Sequence, residues 1–174
     1  MKYIESLIRN IPDFPKPGIQ FKDITPVLAD AEAFKTVIDW YAMSVEAAGG
    51  CDVIAGIESR GFIFGSALAR KLHKGFIPIR KPGKLPFTTL RETYQLEYGQ
   101  DAVEIHTDAV KQGERVALID DLLATGGTAN ASISLIEKAG GEIVCSAFVI
   151  ELDFLRGRER LNLHEEKIFS FIHY

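Results

Sequence analysis

A chain of 174 residues is long enough for one sizeable core and short for two, so a single domain over 1–174, with a small hood at about 1–30, is expected. Hydrophobic residues at 47% and charged residues at 25% exclude a disordered or low-complexity chain. With 20 basic against 24 acidic side chains, the summed field repels a phosphate backbone, which excludes a general nucleic-acid binder; any phosphate must be held locally.

In chain order, Ile4, Leu7, Ile8 and Ile11 recur at helical spacing and predict a short helix that stops at Pro12. Its acidic and polar residues, and the lack of any long apolar run elsewhere, predict neither a leader nor a membrane anchor. PDFPKPGIQFKDITPVLAD is rich in proline and predicts an extended, irregular segment. Asp30 is placed to cap a helix over AEAFKTVIDWYAMSVEAA, with Phe34, Val37, Ile38, Tyr41 and Val45 on one face and Gly49 and Gly50 ending it.

A repeated grammar follows. CDVIAGIE is a buried strand, SRG a tight turn, FIFGSALARKLH a helix and GFIPIRK a strand. RVALID, DLLATGG, TANASISLIEKAGG and EIVCSAFVIE repeat the pattern, which predicts an α/β fold whose mainly parallel sheet is flanked by helices and binds ligands at its strands' carboxyl ends. Between the two units, KPGKLPFTTLRETYQLEYGQDAVEIHTDAV predicts a long mobile loop, then a half-exposed strand at AVEIHT. LRGRERL is a turn and KIFSFIHY a last strand. Cys51 and Cys145 lie in apolar runs without a CxxC pair, so buried free thiols in a reducing cytoplasm are expected.

The stretch VALIDDLLATGGT carries the most chemistry. Gly126 and Gly127 let the backbone approach a ligand, Thr125 and Thr128 add hydroxyls, and a helix beginning there directs free amides and its positive end into the same space. That is a phosphate seat without the lysine of a P-loop or the GxGxxG of a dinucleotide fold. Asp120 and Asp121 beside it would repel a phosphate, so they suit hydroxyl donors or a cation, and a ribose 5-phosphate with a free cis-diol meets these conditions. Ser59, Arg60 and Gly61 form a second strand-to-helix turn with an arginine fork suited to phosphate. Lys81 and Lys84 add positive charge at the next strand end. Together these ends describe a ligand with phosphates at both ends and a diol between.

VALIDDLLATGGT resembles the signature of the type I phosphoribosyltransferases, whose shared ligand is phosphoribosyl pyrophosphate. FPKPGIQFKDITPVL, AGIESRGFIFG, RKPGKLP, TYQLEYG and LRGRERL extend the resemblance, along nearly the whole chain, to the members that use adenine. It implies that fold, with a hood and a flexible active-site loop, and the conversion of adenine and phosphoribosyl pyrophosphate to AMP and pyrophosphate in purine salvage. It implies that Ala124, Thr125, Gly126, Gly127 and Thr128 hold the 5′-phosphate and that Asp120 and Asp121 bind the ribose hydroxyls. Ser59, Arg60, Lys84 and, more weakly, Lys81 match the pyrophosphate side, entered by a Glu58–Ser59 peptide that is often cis. Phe21 and Leu152 match the two faces around adenine, while the backbone near Gln20 and Lys22 reads its edge. Glu97 matches the acid that handles the purine proton, with Tyr98 in the same lid. Mg²⁺ is implied, bound mainly through the ligand's oxygens, as is a homodimer. Lys22 departs from a frequent arginine and loses the planar fork. Transfer to another base and a non-catalytic regulator that senses phosphoribosyl pyrophosphate are the competing functions.

Overall fold

The computed structural model describes residues 2–95 and 99–174. The chain divides into two compact units, Met1–Trp40 and Tyr41–Tyr174.

In the first unit, helix α1 (Lys2–Leu7) is followed by strands β1 (Arg9–Pro12) and β2 (Gln20–Asp23), then by helix α2 (Thr25–Ala29) and the start of α3 (Ala31–Ala47). The expected helix through Ile11 therefore ends at Leu7. Arg9–Pro12 instead pairs antiparallel with Gln20–Asp23, placing Ile11 opposite Phe21. A ribbon of two strands tolerates Pro12 because an edge position need not donate to a ladder. The proline-rich connection is ordered by local bonds: Gly18 N donates to Asp13 Oδ1 at 2.7 Å, and the Phe14 ring meets Phe21 edge-on at 5.1 Å. The segment expected to be irregular thus contains β2 and α2. Asp30 caps α3 as expected, its Oδ1 accepting from Ala33 N at 2.8 Å.

The second unit is built on β3 (Val53–Ile57), α4 (Arg60–Leu72), β4 (Gly75–Ile79), β5 (Thr89–Gln95), β6 (Gln100–His106), β7 (Arg115–Leu123), α5 (Gly127–Lys138), β8 (Glu142–Glu151) and β9 (Ile168–His173). Among the described residues, five strands form a sheet in the order β4-β3-β7-β8-β9, with every neighbouring pair parallel. That is the expected α/β architecture. Its strands read as continuous apolar runs because both faces are covered: all of β3 is buried, as are Val116 to Ile119 of β7. Helix α4 approaches closely through glycine, since a Cβ on Gly56 or Gly65 would lie 2.7 or 2.8 Å from the Phe76 ring of β4.

Two expectations change here. The stretch expected to be a mobile loop contains β5, which pairs antiparallel with β6 from Thr89↔His106 to Gln95↔Gln100. Its period of two is present, with Leu90, Glu92 and Tyr94 half-buried and Arg91, Thr93 and Gln95 exposed, but the alternation is carried mostly by polar residues. AVEIHT is not half-exposed, because Ala102, Val103, Glu104 and Ile105 are all buried. Arg80 bridges this hairpin to the end of β4 through reciprocal backbone bonds with Glu104.

Candidate active site

The carboxyl ends of β3 and β7 open into a cavity of about 240 Å³ lined by Glu58, Ser59, Arg60, Lys81, Asp120, Asp121 and the segment from Leu122 to Ala129. The structure therefore gathers the two strand-end turns and Lys81 around one space. β7 runs to Leu123 rather than ending at Asp120, because its pairing with β8 continues through Leu122↔Ile150 and Leu123↔Glu151. The acids are the last polar residues of a buried strand, and only Ala124 to Gly126 form the turn.

Both acids meet the start of α4. Arg60 Nε lies 3.1 Å from Asp121 Oδ2, a charged contact without hydrogen-bond alignment, so this buried oxygen has no hydrogen-bond partner among the described residues. Asp120 Oδ1 accepts from Asp121 N at 2.9 Å, and a Cβ on Gly61 would come within 2.8 Å of the same oxygen. The buried Tyr41 hydroxyl donates to Asp120 O at 2.7 Å and fixes the strand end from below. Removal from water, then the charge of Asp121, pushes the Asp120 carboxyl well above the ordinary value. Asp121 is also raised by burial, against the opposing pull of Arg60. Two acids held in this state gain from any ligand that supplies hydroxyl donors or positive charge.

The glycine loop is shaped by backbone contact. Gly126 has φ of +79°, the left-handed region that favours glycine, and a Cβ there would sit 2.4 Å from Gly157 O. Helix α5 begins at Gly127, so its first amides lack intrahelical acceptors and face the cavity end with the positive dipole. Thr128 Oγ1 donates to Tyr94 Oη at 3.0 Å, which ties the loop to β5.

The opposite end is built from paired charges. Lys81 Nζ donates to Tyr94 Oη at 2.6 Å and to the Asp101 carboxylate. Lys84 Nζ donates to Glu58 Oε1 at 2.6 Å, and Arg80 Nε to Glu58 Oε2 at 3.0 Å. Burial pushes the Glu58 carboxyl up, but bonds from Lys84, the Lys81 amide and Arg80 outweigh it and leave it below the ordinary value. The Glu58–Ser59 peptide between β3 and α4 is cis, as the resemblance implies. The side-chain contacts of Glu58, Arg80, Tyr94 and Asp101 escaped the sequence reading because most of their partners lie far along the chain; the AGIESRG, RKPGKLP and TYQLEYG motifs contain the first three but not their contacts.

The residues assigned to the base lie on separate units. Gln20, Phe21 and Lys22 are on β2 of the first, whereas Leu152 follows β8 in the second and is buried, its amide donating to Leu123 O at 3.0 Å. Glu97 and Tyr98 lie outside the described residues.

Comparison with known proteins bears on this geometry. The phosphoribosyl transferase domain model matches residues 24–172. The chain belongs to the phosphoribosyltransferase family. Within it, the chain is 56% identical over 167 residues to the adenine phosphoribosyltransferase of Parvibaculum lavamentivorans, covering 96% of this chain and 95% of that one. The crystal structure of adenine phosphoribosyltransferase from Thermoanaerobacter pseudethanolicus is 53% identical and superposes with a TM-score of 0.95 over 99% of each chain. That of the Saccharomyces cerevisiae enzyme, in complex with adenine and an imino-altritol bisphosphate, is 39% identical with a TM-score of 0.93, covering 98% of this chain and 97% of that one.

Proposed function

We propose that this protein is an adenine phosphoribosyltransferase that moves the 5-phosphoribosyl group of phosphoribosyl pyrophosphate onto adenine, giving AMP and pyrophosphate. The observation that carries the reading is the convergence, around one cavity, of the acid pair, the glycine loop at the start of α5 and the Ser59–Arg60 turn. Such a cavity has an anion seat at each end and two carboxylates between, matching a ligand with phosphates flanking a diol. The adenine phosphoribosyltransferases at about half identity over nearly the whole chain supply the choice of base.

In this reading Ala124 to Thr128 take the 5′-phosphate, Asp120 and Asp121 take the ribose hydroxyls, and Ser59, Arg60, Lys81 and Lys84 take pyrophosphate. The C1′–O bond to pyrophosphate breaks as N9 of adenine bonds to C1′; positive charge grows on the sugar and negative charge on the leaving group. Arg60 and the two lysines stabilise the latter by preplaced charge. By the family resemblance, Phe21, Leu152, Gln20 and Lys22 are the residues assigned to adenine, and Glu97, with Tyr98 in the same lid, is assigned to taking the N9 proton.

Mg²⁺ fits the donor set, because Asp120 and Asp121 line the cavity and the buried Asp121 Oδ2 has no hydrogen-bond partner among the described residues, while Glu58 is taken by Arg80 and Lys84. Asp120 and Asp121 would help hold it on the ligand's own oxygens, where it supplies charge neutralisation for the leaving group. A homodimer, which the family resemblance implies, would be able to cover exposed apolar side chains such as Ile63 and Phe87, 41% and 59% exposed. The two free buried thiols, and the absence among the described residues of any helix long and apolar enough to cross a membrane, are consistent with the cytoplasm as the location.

The test is pyrophosphate release by purified protein with Mg²⁺ and phosphoribosyl pyrophosphate, run in parallel with adenine, hypoxanthine, guanine, xanthine and orotate. Release with adenine alone, matched by AMP, is expected; release with a different base would overturn the base, and silence with all five would overturn catalysis.

A further inference from the structure

The LRGRERL turn has no part in the chemistry above, yet it touches the glycine loop more closely than any side chain could. A Cβ on Gly157 would lie 2.1 Å from Ala124 O and 3.0 Å from Gly126 N, so the two backbones meet with no room for a methyl group. Beside this contact, Asn162 N donates to Asn130 Oδ1 on α5 at 2.7 Å, and Leu161 is buried in the core that contains Leu123 and Ala129. The turn therefore lies against the glycine loop and the first turns of α5.

What holds the turn is Arg158. Its Nε donates to Glu151 Oε1 at 3.0 Å and its Nη2 to Glu151 Oε2 at 2.6 Å, a two-pronged pair at the end of β8. Its Nη1 donates to Ile168 O at 2.9 Å at the start of β9, and Ser170 Oγ donates to the same carboxylate. Glu151 is only 4% exposed, so the pair is a fixed strut with little solvent around it. With both oxygens engaged by Arg158 and Ser170, Glu151 is committed to this strut despite its nearness to Asp153 and His173.

We propose that the Arg158–Glu151 pair is a positioning device for the glycine loop: by fixing the turn from Leu155 to Asn162 it sets Gly157 against Ala124 and Gly126, and so holds the loop amides in the geometry that takes a 5′-phosphate. This rests on the reading of that loop as the 5′-phosphate seat. Neither residue touches substrate. The rigid fork matters as much as the charge, because a lysine at 158 presents one nitrogen where arginine presents three, and so cannot reproduce two parallel bonds to Glu151 alongside the bond to Ile168 O.

The experiment compares the wild-type protein with Arg158→Lys and with the double variant Glu151→Gln/Arg158→Met, which removes both charges and leaves no buried ion unpaired. Calorimetry gives the Kd for ribose 5-phosphate, which needs the loop, and for pyrophosphate with Mg²⁺, which needs the other strand ends. Ribose 5-phosphate should bind about tenfold more weakly to both variants, the cost expected of a displaced anion seat, while pyrophosphate binding stays within about twofold. A purely structural pair would lower the melting temperature without separating the two ligands, and equal weakening of both would overturn the inference. So would unchanged ribose 5-phosphate binding in either variant; if Arg158→Lys does not fold, the double variant decides. Failure of the wild-type protein to bind ribose 5-phosphate would instead sink the functional reading, and this inference with it.

Discussion

The two ends of the cavity are made of different materials. At the α5 end the backbone of Gly126 lies against the backbone of Gly157, and no side chain has freedom to adjust. At the other end Lys81, which lines the cavity, is already paired with Asp101, and Lys84, outside that lining, with Glu58; under the proposed function an incoming pyrophosphate would compete with those partners. The first end is preorganised by packing and the second is poised by electrostatics. Small geometric changes should therefore damage the first, whereas charge, salt and pH should act mainly on the second and on the acids between them.

The largest expected effect lies between the ends. Replacing Asp120 and Asp121 together with Asn should lower kcat/KM for phosphoribosyl pyrophosphate by about 100-fold or more, as two charge-assisted bonds are weakened. Steady-state kinetics at varied phosphoribosyl pyrophosphate checks this, and normal binding by the double variant would remove the diol assignment. Next is Gly126→Ala, where one methyl meets Gly157 O at 2.4 Å in a left-handed backbone. It should raise KM for phosphoribosyl pyrophosphate by roughly 30-fold with a smaller change for adenine. If Gly126→Ala were harmless while Lys84→Ala were severe, the contrast between rigid and exchangeable ends would be reversed.

At the cation end, Glu58→Gln should change KM for phosphoribosyl pyrophosphate by only about threefold, since it weakens a pair that is half exposed on the lysine side. The same measurement in high salt should narrow the difference from wild type, whereas the Gly126→Ala defect should persist.

The smallest effects concern stability. Glu58, Asp101 and Glu151 all sit below their ordinary pKa because hydrogen bonds from their cationic partners outweigh burial. Their stabilisation is present above the unfolded value, about 4, and is lost as the pH falls through the lowered folded values, so thermal melts should drop steeply in that window. Asp120 has the opposite sign: its pKa is raised by burial, so its ionised form costs stability above the folded value. Asp120→Asn should thus raise the melting temperature of the unliganded protein at pH 7.5 by about 2 °C, with the gain vanishing near pH 4. A melt lowered at neutral pH would show that this carboxylate stabilises the fold.

Much of this protein was determined locally and could be read from the chain. The alternation of apolar strands with helices is set by periodicity over short windows, and it specified the parallel sheet and the strand ends at which the cavity opens. The acid pair, the glycine loop and the Ser59–Arg60 turn are each contiguous, so their chemistry travels with their sequence. The structure decided what depends on distant partners. β1 left the expected helix because Gln20–Asp23 offered a ladder, and β5 became a strand because β6 folded back on it. Glu58 met Lys84, Tyr94 met Thr128, and Gly157 met Gly126 across separations no periodicity encodes. Pairing, counter-ion choice and backbone close approach are properties of the packed chain, because each is selected by competition among all the groups that folding brings within reach.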